Sequence, residues 1–204
     1  MTKIKICGLF RPEDSDYVNE ALPDYIGFVF ADSRRKVTRM QAAAIKQRLD
    51  TRIKAVGVFV DADADEVTTL ANDGVIGVIQ LHGSEDAIYI ERLRSKTAAP
   101  IIKAVRVQST QQVLSAQDLP CDYLLLDAYH PQRAGGSGEC FDWALLPKLS
   151  KLYFLAGGIN PENIRGALKL NPYAIDVSSG AETDGMKDKE KIIELVNIVR
   201  SVTI

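Results

Sequence analysis

Residues 151–180 read Lys-Leu-Tyr-Phe-Leu-Ala-Gly-Gly-Ile-Asn-Pro-Glu-Asn-Ile-Arg-Gly-Ala-Leu-Lys-Leu-Asn-Pro-Tyr-Ala-Ile-Asp-Val-Ser-Ser-Gly. The apolar run 152–156 suits a buried strand and stops at Gly157-Gly158. Pro161 stands where a first-turn proline belongs, and Ile164, Ala167 and Leu168 keep the i, i+3, i+4 spacing of a helix face. A second apolar run, 173–178, follows and again ends in small residues. Strand, helix and strand fit into one short stretch without insertion.

The same alternation extends outward through the chain. Strand candidates lie at 3–7, 25–30, 53–60, 75–81, 99–105 and 123–127. Helical patterns lie between them at 12–22, 39–49, 63–72, 84–95, 110–116 and from about Asp142. A last helix carries Ile192, Leu195, Val196 and Val199 on one face. The strands are mostly continuous apolar runs, as expected when both faces of a sheet are covered. Eight strand–helix units in 204 residues predict an α/β chain folded as a single (β/α)8 TIM barrel of parallel strands, one domain spanning 1–204. A doubly wound open sheet is the alternative, and closure fits eight parallel strands better.

Composition narrows the function. Hydrophobic residues make up 46% and charged residues 25%, an ordinary globule with ample core material. A net charge of −2 gives no electrostatic reason to expect nucleic acid or an anionic membrane surface. Cys7, Cys121 and Cys140 are odd in number and lack C-x-x-C spacing. The N-terminal residues carry no apolar signal core, and no apolar run approaches the roughly 20 residues of a membrane span. Free thiols in a reducing cytoplasm are the expectation. With His82 and His130 as the only histidines, a metal cluster is not expected.

Barrel active sites lie at the C-terminal ends of the strands. That rule singles out Cys7, the loop from Phe30 to Arg35, Asp61, His82, Arg106, Asp127, Gly157-Gly158 and Ser178-Ser179-Gly180. Each glycine motif alone is an ordinary turn. Together, after the seventh and eighth strands, they mark the usual barrel site for a phosphate held by backbone N–H groups. With no G-x-x-x-x-G-K-[ST] and no G-x-G-x-x-G, a phosphorylated small molecule is a better ligand than a nucleotide. Cys7 reads as a small buried hydrophobe or as a thiolate base or nucleophile, the latter requiring a lowered pKa. Asp127 reads as a cap or ion-pair partner, or as a carboxyl kept protonated by apolar surroundings so that it can donate. Arg34-Arg35-Lys36 reads as a solvated face or as a carboxylate or phosphate clamp. Asp61 and Arg106 read as structural or rim residues.

The ordered set of motifs resembles the phosphoribosylanthranilate isomerase family. It comprises Lys5-Ile6-Cys7-Gly8, Gly27-Phe28-Val29-Phe30, Ser33-Arg34-Arg35-Lys36-Val37, Val56-Gly57-Val58-Phe59-Val60 and Gln80-Leu81-His82-Gly83-Ser84-Glu85. It continues through Gly135-Gly136-Ser137-Gly138 with Phe141-Asp142-Trp143, Ala156-Gly157-Gly158-Ile159-Asn160-Pro161-Glu162-Asn163, Asp176-Val177-Ser178-Ser179-Gly180-Ala181-Glu182 and Gly185-Met186-Lys187-Asp188. The resemblance implies a single (β/α)8 barrel of tryptophan biosynthesis that catalyses an Amadori rearrangement without metal or organic cofactor. It implies Cys7 as general base and Asp127 as general acid. Arg35, His82 and Asp176 would meet substrate, and Gly136, Gly157, Gly158, Ser179 and Gly180 would form the phosphate loops. A monomer or homodimer acting on a phosphorylated small molecule is the corresponding assembly. Two other readings remain at this level. An indole-glycerol-phosphate synthase would need catalytic lysine and glutamate at the strand ends, for which Lys5 and Lys103 are the available lysines. A barrel that only binds a phosphorylated metabolite would bind without turnover.

Overall fold

The computed structural model describes residues 1–128, 143 and 146–202. Its strands are β1 (Lys3–Cys7), β2 (Tyr25–Val29), β3 (Lys54–Phe59), β4 (Val78–Leu81), β5 (Ile101–Val107), β6 (Tyr123–Ala128), β7 (Tyr153–Leu155) and β8 (Ala174–Val177). They pair in parallel and in chain order, and β8 returns to β1 with Lys5 opposite Asp176. The predicted closed barrel is therefore the observed one, and the open sheet is excluded.

Two-residue alternation sorts the side chains. Ile4, Ile6, Ile26, Phe28, Ile79, Leu81, Leu124, Leu126, Ile175 and Val177 face the helices in one buried cluster. Tyr25, Val56, Val78, Ile102, Ala104, Leu125, Phe154, Ala156 and Ala174 form a second cluster inside the barrel. At the start of the strands Tyr25, Tyr123, Phe154 and Tyr173 pack ring against ring. Lys3 Nζ donates to the Tyr173 hydroxyl at 3.0 Å. This end of the barrel is plugged, which leaves the other end for chemistry.

The helices are α1 (Asp14–Ala21), α2 (Arg39–Arg48), α3 (Ala64–Asn72), α4 (Ala87–Arg94), α5 (Thr110–Ala116), α6 (Ile164–Leu168) and α7 (Lys189–Ser201). Their starts follow the capping chemistry of the sequence. Thr38 and Gln41 form a capping box on α2, and Asp63, Asp86, Ser109 and Asp188 accept backbone N–H bonds at α3, α4, α5 and α7. Ile192, Leu195, Val196 and Val199 of α7 are all buried, as their spacing predicts. At about 1.5–3 kcal/mol per buried large apolar side chain, that stripe is a main hold of the last helix on the barrel.

Several boundaries differ from the sequence reading for local reasons. β4 begins at Val78 rather than residue 75, because the Val75 and Ile76 N–H groups turn back to the Leu70 carbonyl after α3. α4 begins at Ala87 rather than near Ser84: Ser84 donates to Asp61, and Glu85 is buried against Lys103. β5 continues to Val107, so Arg106 lies in the strand opposite Asp127 and not in a loop. Pro161 belongs to a turn before α6 and not to its first helical turn, since α6 starts at Ile164. The helix expected from Asp142 falls on residues outside the described set, and residues 146–150 carry no helix. After β8 the chain forms a 3-10 turn, Ser179–Ala181, and a hairpin of β9 (Glu182–Thr183) and β10 (Met186–Lys187) that the sequence reading lacked. Asp184 and Gly185 turn it with positive φ, as a two-residue hairpin loop requires. Among the described residues, no helix is long and apolar enough to cross a membrane.

Candidate active site

At the C-terminal end of the barrel a cavity of about 200 Å³ is lined by Cys7, Arg35, Gln80, His82, Arg106, Asp127, Gly157, Gly158, Asp176 and Ser179, among others. Residues far apart in the chain thus meet because eight strand ends meet. Roomier clefts lie outside, between α2 and α3 and between β4 and α5. Neither of those joins a thiol to an acid.

Cys7 is the last residue of β1 and is buried. Gly27, its register partner on β2, makes the space: a Cβ there would lie 2.6 Å from Cys7 Sγ. Two residues earlier on the same inward face, Lys5 is completely buried and donates to Asp176 Oδ1 at 2.9 Å and Oδ2 at 3.0 Å. Burial works against the Lys5 charge, but Asp176 and Cys7 more than offset it and push its pKa up. For the Cys7 thiol, burial pushes the pKa up; Lys5 and Lys187 pull down, and Asp176 adds to the rise. The lowered pKa that a resting thiolate base requires is therefore not found. The apolar surroundings outweigh the two cations.

Asp127, near the end of β6, meets His82 from beyond β4. The His82 Nε2–Asp127 Oδ2 distance is 3.2 Å, and Gln80 Nε2 lies 3.0 Å from His82 Nδ1. Arg35 also reaches the cavity. Its side chain is 14% exposed, whereas that of Arg34 is 54% exposed, and of the two only Arg35 lines the cavity. Its aliphatic stem crosses Gly8, whose φ of +86° and missing Cβ leave the path open. Its Nε and terminal N–H donate to Glu182 at 2.6 and 2.9 Å. Arg34 and Lys187 bind the same carboxylate. Burial would raise the Glu182 pKa, but Arg35 and Lys187 hold it below the usual carboxylate range.

Gly157 and Gly158 have φ of +87° and +68° and share the cavity wall with Ser179. Gly180 is the contact between the two loops: a Cβ there would collide with the Ile159 carbonyl oxygen and lie 2.9 Å from Asn160 Cα. Gly180→Ala is thus expected to cost about 1–3 kcal/mol by forcing the loops apart. Thermal unfolding and the KM for a phosphorylated substrate check this, and an unchanged KM would separate Gly180 from ligand binding. Gly136 lies outside the described residues, as do His130, Arg133 and Cys140.

Asp61 is structural, as read: its Oδ1 accepts from Ser84 N and Oγ, tying the loop after β3 to that after β4. Arg106 is an exposed residue bordering both the cavity and the cleft outside it, the rim position the sequence suggests. Three residues escaped the sequence reading as parts of the site: Lys5, Gln80 and Glu182. The first two lie two residues before Cys7 and His82, so strand alternation was the signal that could have found them. Lys103, the other candidate catalytic lysine, is spent on Glu85 at 2.6 Å and on the Gly83 carbonyl at 2.7 Å.

Comparison with known proteins bears on this arrangement. The family model for N-(5'phosphoribosyl)anthranilate (PRA) isomerase matches residues 4–198. An N-(5'-phosphoribosyl)anthranilate isomerase from Endomicrobium trichonymphae is 49% identical, covering 99% of this chain and 100% of that protein. The crystal structure of phosphoribosyl anthranilate isomerase from Thermus thermophilus superposes with a TM-score of 0.87 at 35% identity, covering 98% of this chain and 99% of that one. A further such enzyme, solved in complex with reduced 1-(o-carboxyphenylamino)-1-deoxyribulose 5-phosphate, has a TM-score of 0.83 at 29% identity and covers 99% of this chain and 100% of its own. A thiol and an acid from non-adjacent strands of one barrel mouth, and a match over nearly the whole chain, lead to the same place: this chain belongs to the phosphoribosylanthranilate isomerase family.

Proposed function

We propose that the chain is an isomerase of tryptophan biosynthesis that converts N-(5-phospho-β-D-ribosyl)anthranilate to 1-(2-carboxyphenylamino)-1-deoxyribulose 5-phosphate, with Asp127 as general acid and Cys7 as general base. The observation that carries this reading is that Cys7 and Asp127 line one cavity while belonging to strands on different sides of the barrel. In the first step the Asp127 carboxyl gives its proton to the furanose ring oxygen, the C1–O bond breaks, and an iminium forms. In the second, the Cys7 thiolate takes the C2 proton, and the C–H electron pair neutralises the iminium as an enolamine. Tautomerisation then moves the enol proton from oxygen and places one on C1, giving the ketone. Each step is a proton transfer or a bond shift within the substrate, so no cofactor is invoked.

The raised pKa of Cys7 fits this order. The iminium is a cation set against the thiol, adding to Lys5 and Lys187 at the moment when a thiolate is needed. Arg35 is the partner for the anthranilate carboxylate, a group of the same kind as the Glu182 carboxylate it holds here. Asp176 stands on the ribose side, and Gly136, Gly157, Gly158, Ser179 and Gly180 take the phosphate. The reading is tested by following the loss of fluorescence of phosphoribosylanthranilate with the purified protein, and with Cys7→Ser to exclude a contaminant. Turnover by the first and not the second is expected. Formation of indole-glycerol phosphate with CO₂ release from the aminoketose, or binding without turnover, would overturn it.

A further inference from the structure

Gln80 is a polar side chain inside the barrel wall. It is 1% exposed and lines the cavity that holds Cys7 and Asp127. Its amide nitrogen reaches His82 Nδ1 at 3.0 Å, while its Oε1 has no hydrogen-bond partner among the described residues. A buried carbonyl without a donor is unfavourable. The arrangement persists because the other end of the amide is committed to the imidazole. An amide N–H only donates, so Nδ1 must accept, and the single hydrogen of the neutral ring then lies on Nε2. Nε2 faces Asp127 Oδ2 at 3.2 Å. That imidazole hydrogen occupies Oδ2, so a proton carried by the same carboxyl is directed to Oδ1.

We propose that Gln80 is a positioning residue that fixes the tautomer of His82, and that His82 so fixed holds Asp127 with its transferable proton on Oδ1. The inference rests on the reading of Asp127 as the acid. Gln80 acts through two intervening groups and touches no reacting atom. When Asp127 gives up its proton, the Nε2–H bond becomes charge-assisted and stabilises the carboxylate left behind. In the opposite tautomer Nε2 would present a lone pair to that carboxylate and would oppose the transfer.

Among the described residues, the charged and titratable groups around this hydrogen-bonded series include Arg106 of β5, in register with Asp127, Arg35 of the loop after β2, and Cys7 and Asp176 across the cavity. Asp61, Glu85 and Lys103 stand on the outer side of His82. None is altered in Gln80 variants, so a changed pH profile reports the imidazole and its partner. Gln80→Met keeps the length and removes the donor. It is expected to lower kcat by about 10–10²-fold with KM within about twofold of wild type. Gln80→Glu replaces the donor by an acceptor, draws a hydrogen onto Nδ1 and holds His82 as the imidazolium. The pair is neutral overall, but its cation lies against Asp127 and the new carboxylate on the far side of the ring, so the Asp127 carboxylate is favoured. The limb on which activity is lost as pH rises moves to lower pH, and turnover is regained on acidification. His82→Asn is expected to match Gln80→Met in kcat. A Gln80→Met profile superimposable on wild type, a change confined to KM, or an unmoved limb in Gln80→Glu would overturn the proposal. Asp127→Asn serves as the control. If it retains turnover, the acid assignment itself fails; if it is inactive while the Gln80 variants are unaffected, only the positioning role fails.

Discussion

Asp127→Asn is expected to lower turnover of phosphoribosylanthranilate by roughly 10²–10⁴-fold, the scale on which a positioned acid contributes to proton transfer. The amide keeps the volume and can still pair with His82 Nε2, which lies 3.2 Å from Oδ2. It offers no acidic proton to the ring oxygen, so ring opening stalls while binding survives. KM should therefore change little. Cys7→Ala is expected to fall by a similar factor for the opposite reason: the iminium forms but its C2 proton has no acceptor. Steady-state kinetics on folded variants, with circular dichroism to confirm the barrel, decides both. Near-wild-type kcat in either variant removes that residue from its role. Effects of residues that act as a unit are not additive, so the double variant should be barely slower than the worse single one.

The architecture was almost wholly legible, and the reason is redundancy. A (β/α)8 barrel repeats one pattern eight times, and a misplaced boundary such as Val75 or Ala99 does not disturb the count. The strand-end rule then places Cys7, His82, Asp127, Gly157 and Ser179 together from the sequence alone. What remained hidden was depth. Lys5 and Gln80 occupy the layer beneath the strand ends, and each follows from alternation only once a register is known: Lys5 opposite Asp176, which the resemblance alone points to, across β1 and β8, and Gln80 opposite Val58 across β3 and β4. A lysine in an apolar strand reads as an edge or a boundary until its carboxylate is found on a strand some 170 residues away. Glu182 was hidden for another reason. It sits in a hairpin of two-residue strands whose only local signal is Asp184-Gly185, and its partners Arg34 and Arg35 come from the opposite end of the sequence.

Lys5→Met and Asp176→Asn should move the base limb of the pH–rate profile in opposite directions. Both side chains lie beneath Cys7 and are almost fully buried. Removing either partner leaves an uncompensated charge in the barrel, which costs about 3–5 kcal/mol, so both variants should melt earlier. Lost stability alone would not distinguish them, but the thiol does. Lys5 lowers the Cys7 pKa and Asp176 raises it. Activity on this limb needs the thiolate and rises as pH rises through the Cys7 pKa. Without the ammonium the thiolate is harder to form, and the limb moves to higher pH; kcat/KM at neutral pH falls by about tenfold for each unit the limb moves. With asparagine at 176 the ammonium acts unopposed, and the limb moves to lower pH. Asp176→Asn also raises KM if the carboxylate meets the ribose, a separate readout. Lys5→Met/Asp176→Leu, which removes both charges, should recover most of the stability and none of the lowering of the thiol. Limbs that stay together while the melting points fall would reduce this ion pair to a structural strut.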